Sequence, residues 1–158
     1  MKTHGSRKVV VAILLLVCGV GVGSAQNLLP ATWNVPFSFT VGKAILPPGE
    51  YLIRGANSVN DWSFLLIQNQ KGSESAYFTV SPSWNGEASE NSKLVFHRYE
   101  NQYFLAQICI EGEKTGRELP MTKAEREVAR GLKHAQSSQA KIVTLVSEKK
   151  QDKHQSQF

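Results

Sequence analysis

The chain has 158 residues, 41% of them hydrophobic and 20% charged, which suits one globular domain and excludes a fibrous or low-complexity protein. It carries 18 Lys and Arg against 13 Asp and Glu, but three of the basic residues lie in the first 25, which contain no acidic residue. The remaining 15 basic and 13 acidic residues leave too small an excess to favour a nucleic-acid partner.

Residues 1–25 have the layout of a secretory signal peptide. A basic start precedes a nine-residue apolar run, Val9 to Val17, and small residues lead to Gly23-Ser24-Ala25. A retained membrane anchor is the alternative, but spanning a membrane takes about 20 apolar residues. Lipidation at Cys18 is a third interpretation, disfavoured because Val17 occupies a position where that motif has a small residue. We therefore expect cleavage after Ala25, export to the periplasm or the cell exterior, and no membrane span in the mature chain.

The mature chain divides into a lead-in, a domain and a tail. Residues 26–34 predict an irregular lead-in, residues 35–146 a β domain that includes a helix at 123–132, and residues 147–158 a disordered polar tail. The domain opens with apolar side chains at every second position, namely Val35, Phe37, Phe39 and Val41. This period of two predicts a half-buried strand, because strand side chains alternate between faces.

Turn residues separate that first strand from the next. Gly42-Lys43 interrupts the alternation, and Pro48-Gly49 fits a type II turn with a positive φ at Gly49. Tyr51 to Ile53 then begins a second strand.

Further apolar runs predict the rest of the sheet. They cover residues 62–69, 75–80, 93–99, 102–110 and 142–146, separated by polar segments that include loops at 81–92 and 111–119. A two-residue loop at Glu100-Asn101 would place Tyr99 opposite Gln102, His97 opposite Phe104 and Phe96 opposite Leu105. The pattern predicts an antiparallel β-sandwich or barrel of about six or seven strands with one short C-terminal helix.

The helix is predicted by a capping box. Thr122 and Glu125 stand at the spacing at which each side chain satisfies a free backbone N–H near the other residue. Ala124, Val128 and Leu132 then form a narrow apolar stripe. Gly131 is placed to end the helix.

The motifs V-P-F-S-F-T-V-G and L-P-P-G-E-Y, at 35–42 and 46–51, carry a resemblance. With L-V-F-H-R-Y at 94–99 and Y-F-L-A-Q-I at 103–108, the chain resembles an uncharacterised family of secreted bacterial β-proteins. The resemblance implies an exported β domain. It implies no activity and no catalytic residue.

Few residues indicate chemistry. His97, His134 and His154 have no second ligand at metal-binding spacing, and neither a nucleophile elbow nor a phosphate loop is present. Glu111, Glu113 and Glu118 are close in sequence, but beside Lys114 and Arg117 they indicate a solvated surface rather than a glycosidase pair. We assign no catalytic residue, no metal and no other cofactor.

Cys109 is the single cysteine beyond the signal segment. It lies in an apolar run that predicts an interior strand, which favours a buried, inert thiol over an intermolecular disulfide.

Trp62 and Trp84 are the candidate binding residues, because each stands among polar loop residues. A tryptophan there offers a flat face for stacking on a sugar or anchoring a protein. The alternative is that each ring folds back over the end of the core.

Three functions are compatible with these observations. The first is a non-enzymatic binding or structural protein that meets a protein or glycan of the cell envelope, which Trp62 and Trp84 at one end of the molecule would favour. The second is a hydrolase with a dispersed active site, which His97 converging with Glu and Arg side chains would favour. The third is a carrier of small apolar ligands, which a cavity lined by Phe37, Phe39 and Phe104 would favour.

Overall fold

The structure is a computed structural model that describes residues 28–56, 63–134 and 140–148. The predicted signal peptide, Trp62 and residues 149–158 of the predicted tail lie outside the described residues. Those that are described form two β-sheets and one helix, which confirms the predicted mainly-β sandwich.

Eleven strands are present in the described part, more than the predicted number because several are only three or four residues long. The strands and the helix are, in chain order, β1 (Leu28–Val35), β2 (Phe39–Val41), β3 (Ala44–Leu46), β4 (Gly49–Gly55), β5 (Phe64–Asn69), β6 (Ser75–Thr79), β7 (Ser81–Trp84), β8 (Lys93–Tyr99), β9 (Gln102–Cys109), β10 (Thr115–Glu118), α1 (Lys123–His134) and β11 (Lys141–Val146).

Two sheets stack face to face. The first has the order β1-β4-β5-β6, and the second has the order β11-β8-β9-β10-β7 with the β2–β3 hairpin attached to β9. The chain passes from β6 to β7, and so between sheets, through the single residue Val80. On the opposite side the Glu148 N–H donates to the Thr32 carbonyl at 3.0 Å, which ties the end of β11 to β1.

The core lies between the sheets and follows the alternation of the strands. Phe39 links the two layers, since its ring meets Tyr51 of the first sheet at 5.3 Å and Phe96 of the second at 5.5 Å, both edge to face. Burying one such ring stabilises the fold by about 1.5–3 kcal/mol. The main buried side chains of this core are Trp33, Val35, Phe39, Val41, Leu46, Tyr51, Ile53, Leu65, Ile67, Phe78, Leu94, Phe96, Leu105 and Ile108.

The segment from residue 28 to residue 54 departs from the prediction in three ways. Residues 28–34 are not an irregular lead-in, because they pair with β4 as most of β1. The alternating segment is interrupted at 36–38, so Val35 ends β1 and Phe39 begins β2. The positive φ falls at Gly42, at 58°, in the β2–β3 turn, whereas Gly49 is extended and pairs with Val35.

The β8–β9 hairpin has the predicted register. Tyr99 pairs with Gln102, His97 with Phe104 and Phe96 with Leu105. The positive φ of its turn belongs to Glu100, at 52°, and not to its neighbour asparagine. The hairpin is central in its sheet, and β11 returns to pair with β8.

Two segments predicted as polar loops are strands. β7 and β10 pair with each other along their whole length, and β10 also pairs with β9. Both are polar in sequence and lack the apolar alternation of a half-buried strand. Gly116 lets the side-chain amides of Asn85 and Gln107 approach closely, because a Cβ at that position would stand 2.9 Å from both and they would have to shift.

The helix differs from its prediction in extent and orientation. It continues past Gly131 to His134. Its most buried residue is Glu125, followed by half-buried Val128, Ala129 and Leu132, whereas Ala124 is exposed. Val128 and Leu132 of the predicted stripe therefore face the protein, whereas Glu125 takes the place predicted for Ala124. Neither this helix nor any other described segment forms a helix long and apolar enough to cross a membrane.

Candidate functional site

An open groove of about 890 Å³ lies along the edge strand β6. Its lining residues come from β5, β6, the β2–β3 hairpin, β9, the start of α1 and the segment that leads into this helix. The buried lining residues form its base, and the exposed ones form its walls and rim. We call it the β6 groove, and its lining residues are Thr40, Gly42, Lys43, Ile45, Phe64, Tyr77, Phe78, Thr79, Gln102, Phe104, Leu105 and 119–126.

Exposed apolar side chains are concentrated in this groove. Ile45 is 75% exposed, Tyr77 61% and Met121 41%, and all three line it. Phe64 stacks on Tyr77 with ring centroids 5.6 Å apart and extends the same wall. Contiguous exposed apolar surface is unusual on a folded domain and marks contact sites for ligands or partners.

Strand alternation explains why these side chains are exposed. In β3 the middle residue, Ile45, points away from the buried Leu46. In β6, Ala76 and Phe78 enter the core, so Tyr77 between them points outward. Both positions would ordinarily carry polar residues on an edge strand, since apolar edges invite association. The groove therefore places apolar residues where folding does not need them.

The rim of the groove is cationic. Lys43, Lys123 and Arg126 are exposed and line it, and among the lining residues that the structure describes the only carboxylate is that of the buried Glu125. Lys123 lies 3.8 Å from Glu127, but both side chains are largely solvated, so the pair neutralises little. Arg126 donates to the Met121 carbonyl at 2.6 Å, which leaves its positive charge in place at the groove.

Glu125 joins the helix to the sheet beside the groove. His97 Nδ1 lies 2.7 Å from Glu125 Oε1, and the Tyr99 hydroxyl donates to the same oxygen at 3.3 Å. Hydrogen bonding to Glu125 raises the pKa of His97 above its ordinary value. Burial acts in the opposite direction and lowers this pKa, but the charges of Glu125 and Glu118 add to the rise. Burial raises the pKa of Tyr99, and Glu125 adds to it. When His97 is protonated, its imidazolium forms an ion pair with the Glu125 carboxylate that joins α1 to β8.

The capping box is only half formed. The Glu125 N–H donates to Thr122 Oγ1 at 3.1 Å, as predicted. The Glu125 carboxylate instead contacts His97 and Tyr99, whereas the capping box predicted that it would accept from the backbone N–H of Thr122. One signal for it was available: Glu125 precedes Val128 and Ala129 by three and four residues, so it shares their helical face.

The other candidate residues are dispersed. Trp84 is 71% exposed on the edge strand β7, so it does not fold back over the core, and it is not among the residues lining the β6 groove. Cys109 is buried, as predicted, and accepts a hydrogen bond from Asn85 Nδ2 at 3.6 Å. Glu113 pairs with Arg117 at 3.0 Å.

The three phenylalanines proposed for a carrier cavity do not meet in one. Phe39 is in the core, and Phe37 stacks on Tyr103 at 3.8 Å. Only Phe104 lines the β6 groove, where it also packs edge to face on Tyr99.

Within the described ranges, no group of three or more His, Cys, Asp or Glu residues is arranged to hold a metal ion. Comparisons of the chain with models of protein families, with curated proteins and with solved structures gave no match.

Proposed function

We propose that this chain is an exported, non-enzymatic binding protein of the cell envelope and that the β6 groove holds an apolar ligand. The observation that carries the proposal is the grouping of Ile45, Tyr77 and Met121, exposed apolar residues from three separate elements, around one recess. A volume of about 890 Å³ is within the range of pockets that bind small molecules.

The base of the groove supports the same proposal. Phe104, Leu105 and Leu119 line it and are buried, so most of the buried side chains of the lining are apolar as well. Each buried CH₂ of a ligand is stabilised by about 0.8 kcal/mol. Burial of an apolar ligand against these residues would therefore stabilise the complex.

The hydrolase alternative is carried by a single contact, the one between His97 and Glu125. That contact has a sufficient structural reason, since Glu125 is 4% exposed and its carboxylate needs partners when the helix docks. We therefore place the pair in the framework of the groove wall rather than in an active site.

Binding can be tested with a neutral apolar fluorophore, N-phenyl-1-naphthylamine, which brightens on leaving water. We expect saturable binding to the purified protein. The double variant Ile45→Ser with Tyr77→Ser should weaken it roughly tenfold, because it removes two apolar contacts.

Two exposed apolar residues outside the groove provide matched controls. Ile142 is 70% exposed on the edge strand β11, and Trp84 is 71% exposed on β7. Ile142→Ser with Trp84→Ser should leave the affinity unchanged. Absence of saturable binding, or an equal loss in both double variants, would overturn the groove as the binding site. An equal loss of affinity in both double variants would indicate that Trp84 contributes to binding.

Export has its own test. N-terminal sequencing of the protein recovered outside the cytoplasm should begin at Gln26. A first residue before Cys18 would overturn the signal-peptide assignment.

A further inference from the structure

We infer that the ligand of the β6 groove is a single anionic amphiphile, with one long apolar chain and a carboxylate or similar anionic head group. The inference rests on the proposed function and adds the chemistry of the ligand. It combines two observations: the apolar recess and the cations at its rim.

The recess fits a chain. Its apolar residues run from Ile45 and Tyr77, which are exposed at the walls, to Phe104 and Leu105, which are buried at the base. The lining also contains uncharged polar side chains, namely Thr40, Thr79, Gln102 and Thr122, but most of its accessible surface is apolar. A flexible alkyl chain needs apolar contact along its length, and this mainly apolar surface supplies it.

The rim fits an anionic head. Lys43 comes from the β2–β3 turn, and Lys123 and Arg126 come from the first turns of α1, so cations border the recess from two elements. Within the described part of the lining, the one carboxylate, Glu125, is already paired with His97 at 2.7 Å. Glu127 reaches only Lys123, at 3.8 Å and in solvent. An anionic head therefore meets a net positive rim, whereas a cationic head meets repulsion.

A single molecule fits this geometry better than a bilayer surface. A bilayer requires apolar side chains that project from a convex surface. Here the exposed apolar side chains of Ile45, Tyr77 and Met121 all line one recess, and the apolar residues at its base are buried. We therefore propose that the groove binds one amphiphile molecule rather than a membrane surface.

The experiment compares amphiphiles that share a twelve-carbon chain and differ in head group, since head-group charge is the variable under test. Dodecanoate, dodecyl maltoside and dodecyltrimethylammonium, each below its critical micelle concentration, displace the neutral fluorophore from the purified protein. We expect dodecanoate to bind on the order of tenfold more tightly than the maltoside, and the cation to bind most weakly. The advantage of dodecanoate should shrink between about 0.05 M and about 0.5 M salt.

A charge variant assigns the effect to the rim. Changing Lys43, Lys123 and Arg126 to Gln together should equalise dodecanoate and the maltoside while the fluorophore still binds. The matched control changes three exposed lysines away from the groove, Lys71, Lys114 and Lys141, to Gln. It should preserve the preference, because both variants lose the same net charge.

The possible failures are distinguishable. If the fluorophore binds in the groove but head-group charge has no effect, or the control variant loses the preference equally, the anionic amphiphile is wrong and the binding groove stands. If the fluorophore itself does not bind, both proposals fail. If anionic phospholipid vesicles retain the protein while dodecanoate displaces nothing, the ligand is a membrane surface and the inference is overturned.

Discussion

Replacing Glu125 with alanine tests the link between helix and sheet. In the folded protein the Glu125 carboxylate is 4% exposed and is contacted by His97 Nδ1 at 2.7 Å and by the Tyr99 hydroxyl at 3.3 Å. The helix offers little else for docking, since Val128, Ala129 and Leu132 are only half-buried. Removing the carboxylate therefore removes a main attachment of α1.

The expected cost follows from the two lost contacts. A hydrogen bond to a charged group contributes about 1.5–3 kcal/mol, and a buried hydroxyl left without a partner costs about 1–3 kcal/mol. His97 is 35% exposed in its side chain and can return to water, which reduces the total. We expect Glu125→Ala to lower the free energy of unfolding by about 2–4 kcal/mol, and Glu125→Gln, which keeps an acceptor oxygen, by about 1–2 kcal/mol.

Urea unfolding at constant pH measures the effect. With an m-value of about 2 kcal/mol/M, the midpoint for Glu125→Ala should fall by about 1–2 M. The control is Glu127→Ala on the same helix, whose exposed pair with Lys123 should contribute less than about 0.5 kcal/mol. Equal losses in the two alanine variants would refute the role assigned to Glu125.

Two further outcomes follow from the same region. Because the pKa of His97 is raised in the folded state, the stability it contributes is fully present below its ordinary value of 6.5 and is lost as pH rises through the raised pKa. Urea midpoints at about pH 6 and about pH 8.5 should therefore decrease with pH in the unmodified protein and change less in Glu125→Gln; an equal decrease would count against the pair. Glu100 has a φ of 52°, which asparagine adopts with less strain, so Glu100→Asn should raise the unfolding free energy by about 0.5–1 kcal/mol. Glu100→Ala is the control, since the bond from Arg98 Nε goes to the backbone carbonyl of residue 100, and an alanine gain as large as that of asparagine would contradict the strain argument.

The sequence pattern was sufficient to predict structure where residues close in the chain determine the conformation. The β8–β9 register follows from a two-residue loop, because loop length fixes which residues face each other. Burial of Val35, Phe39 and Val41 follows from alternation, although the strand that contains them is interrupted.

The sequence pattern gave wrong predictions where pairing with a distant strand determines the conformation. β7 and β10 are strands because each satisfies the backbone of the other, although neither has an apolar alternation. Gly49 is extended because it pairs with Val35, which overrides the turn preference of Pro48-Gly49. In each case a distant partner outweighs the local preference.

The amino-acid sequence by itself indicated a mainly-β sandwich or barrel, the positions of its principal strands along the chain and a helix capped by Thr122, since these depend on periodicity and capping over a few residues. Only the tertiary structure decided that Glu125 serves the sheet as well as the cap, and that Ile45, Tyr77 and Met121 share one groove. The physical reason is that each contact joins residues from different elements, whose approach depends on how two sheets and a helix pack.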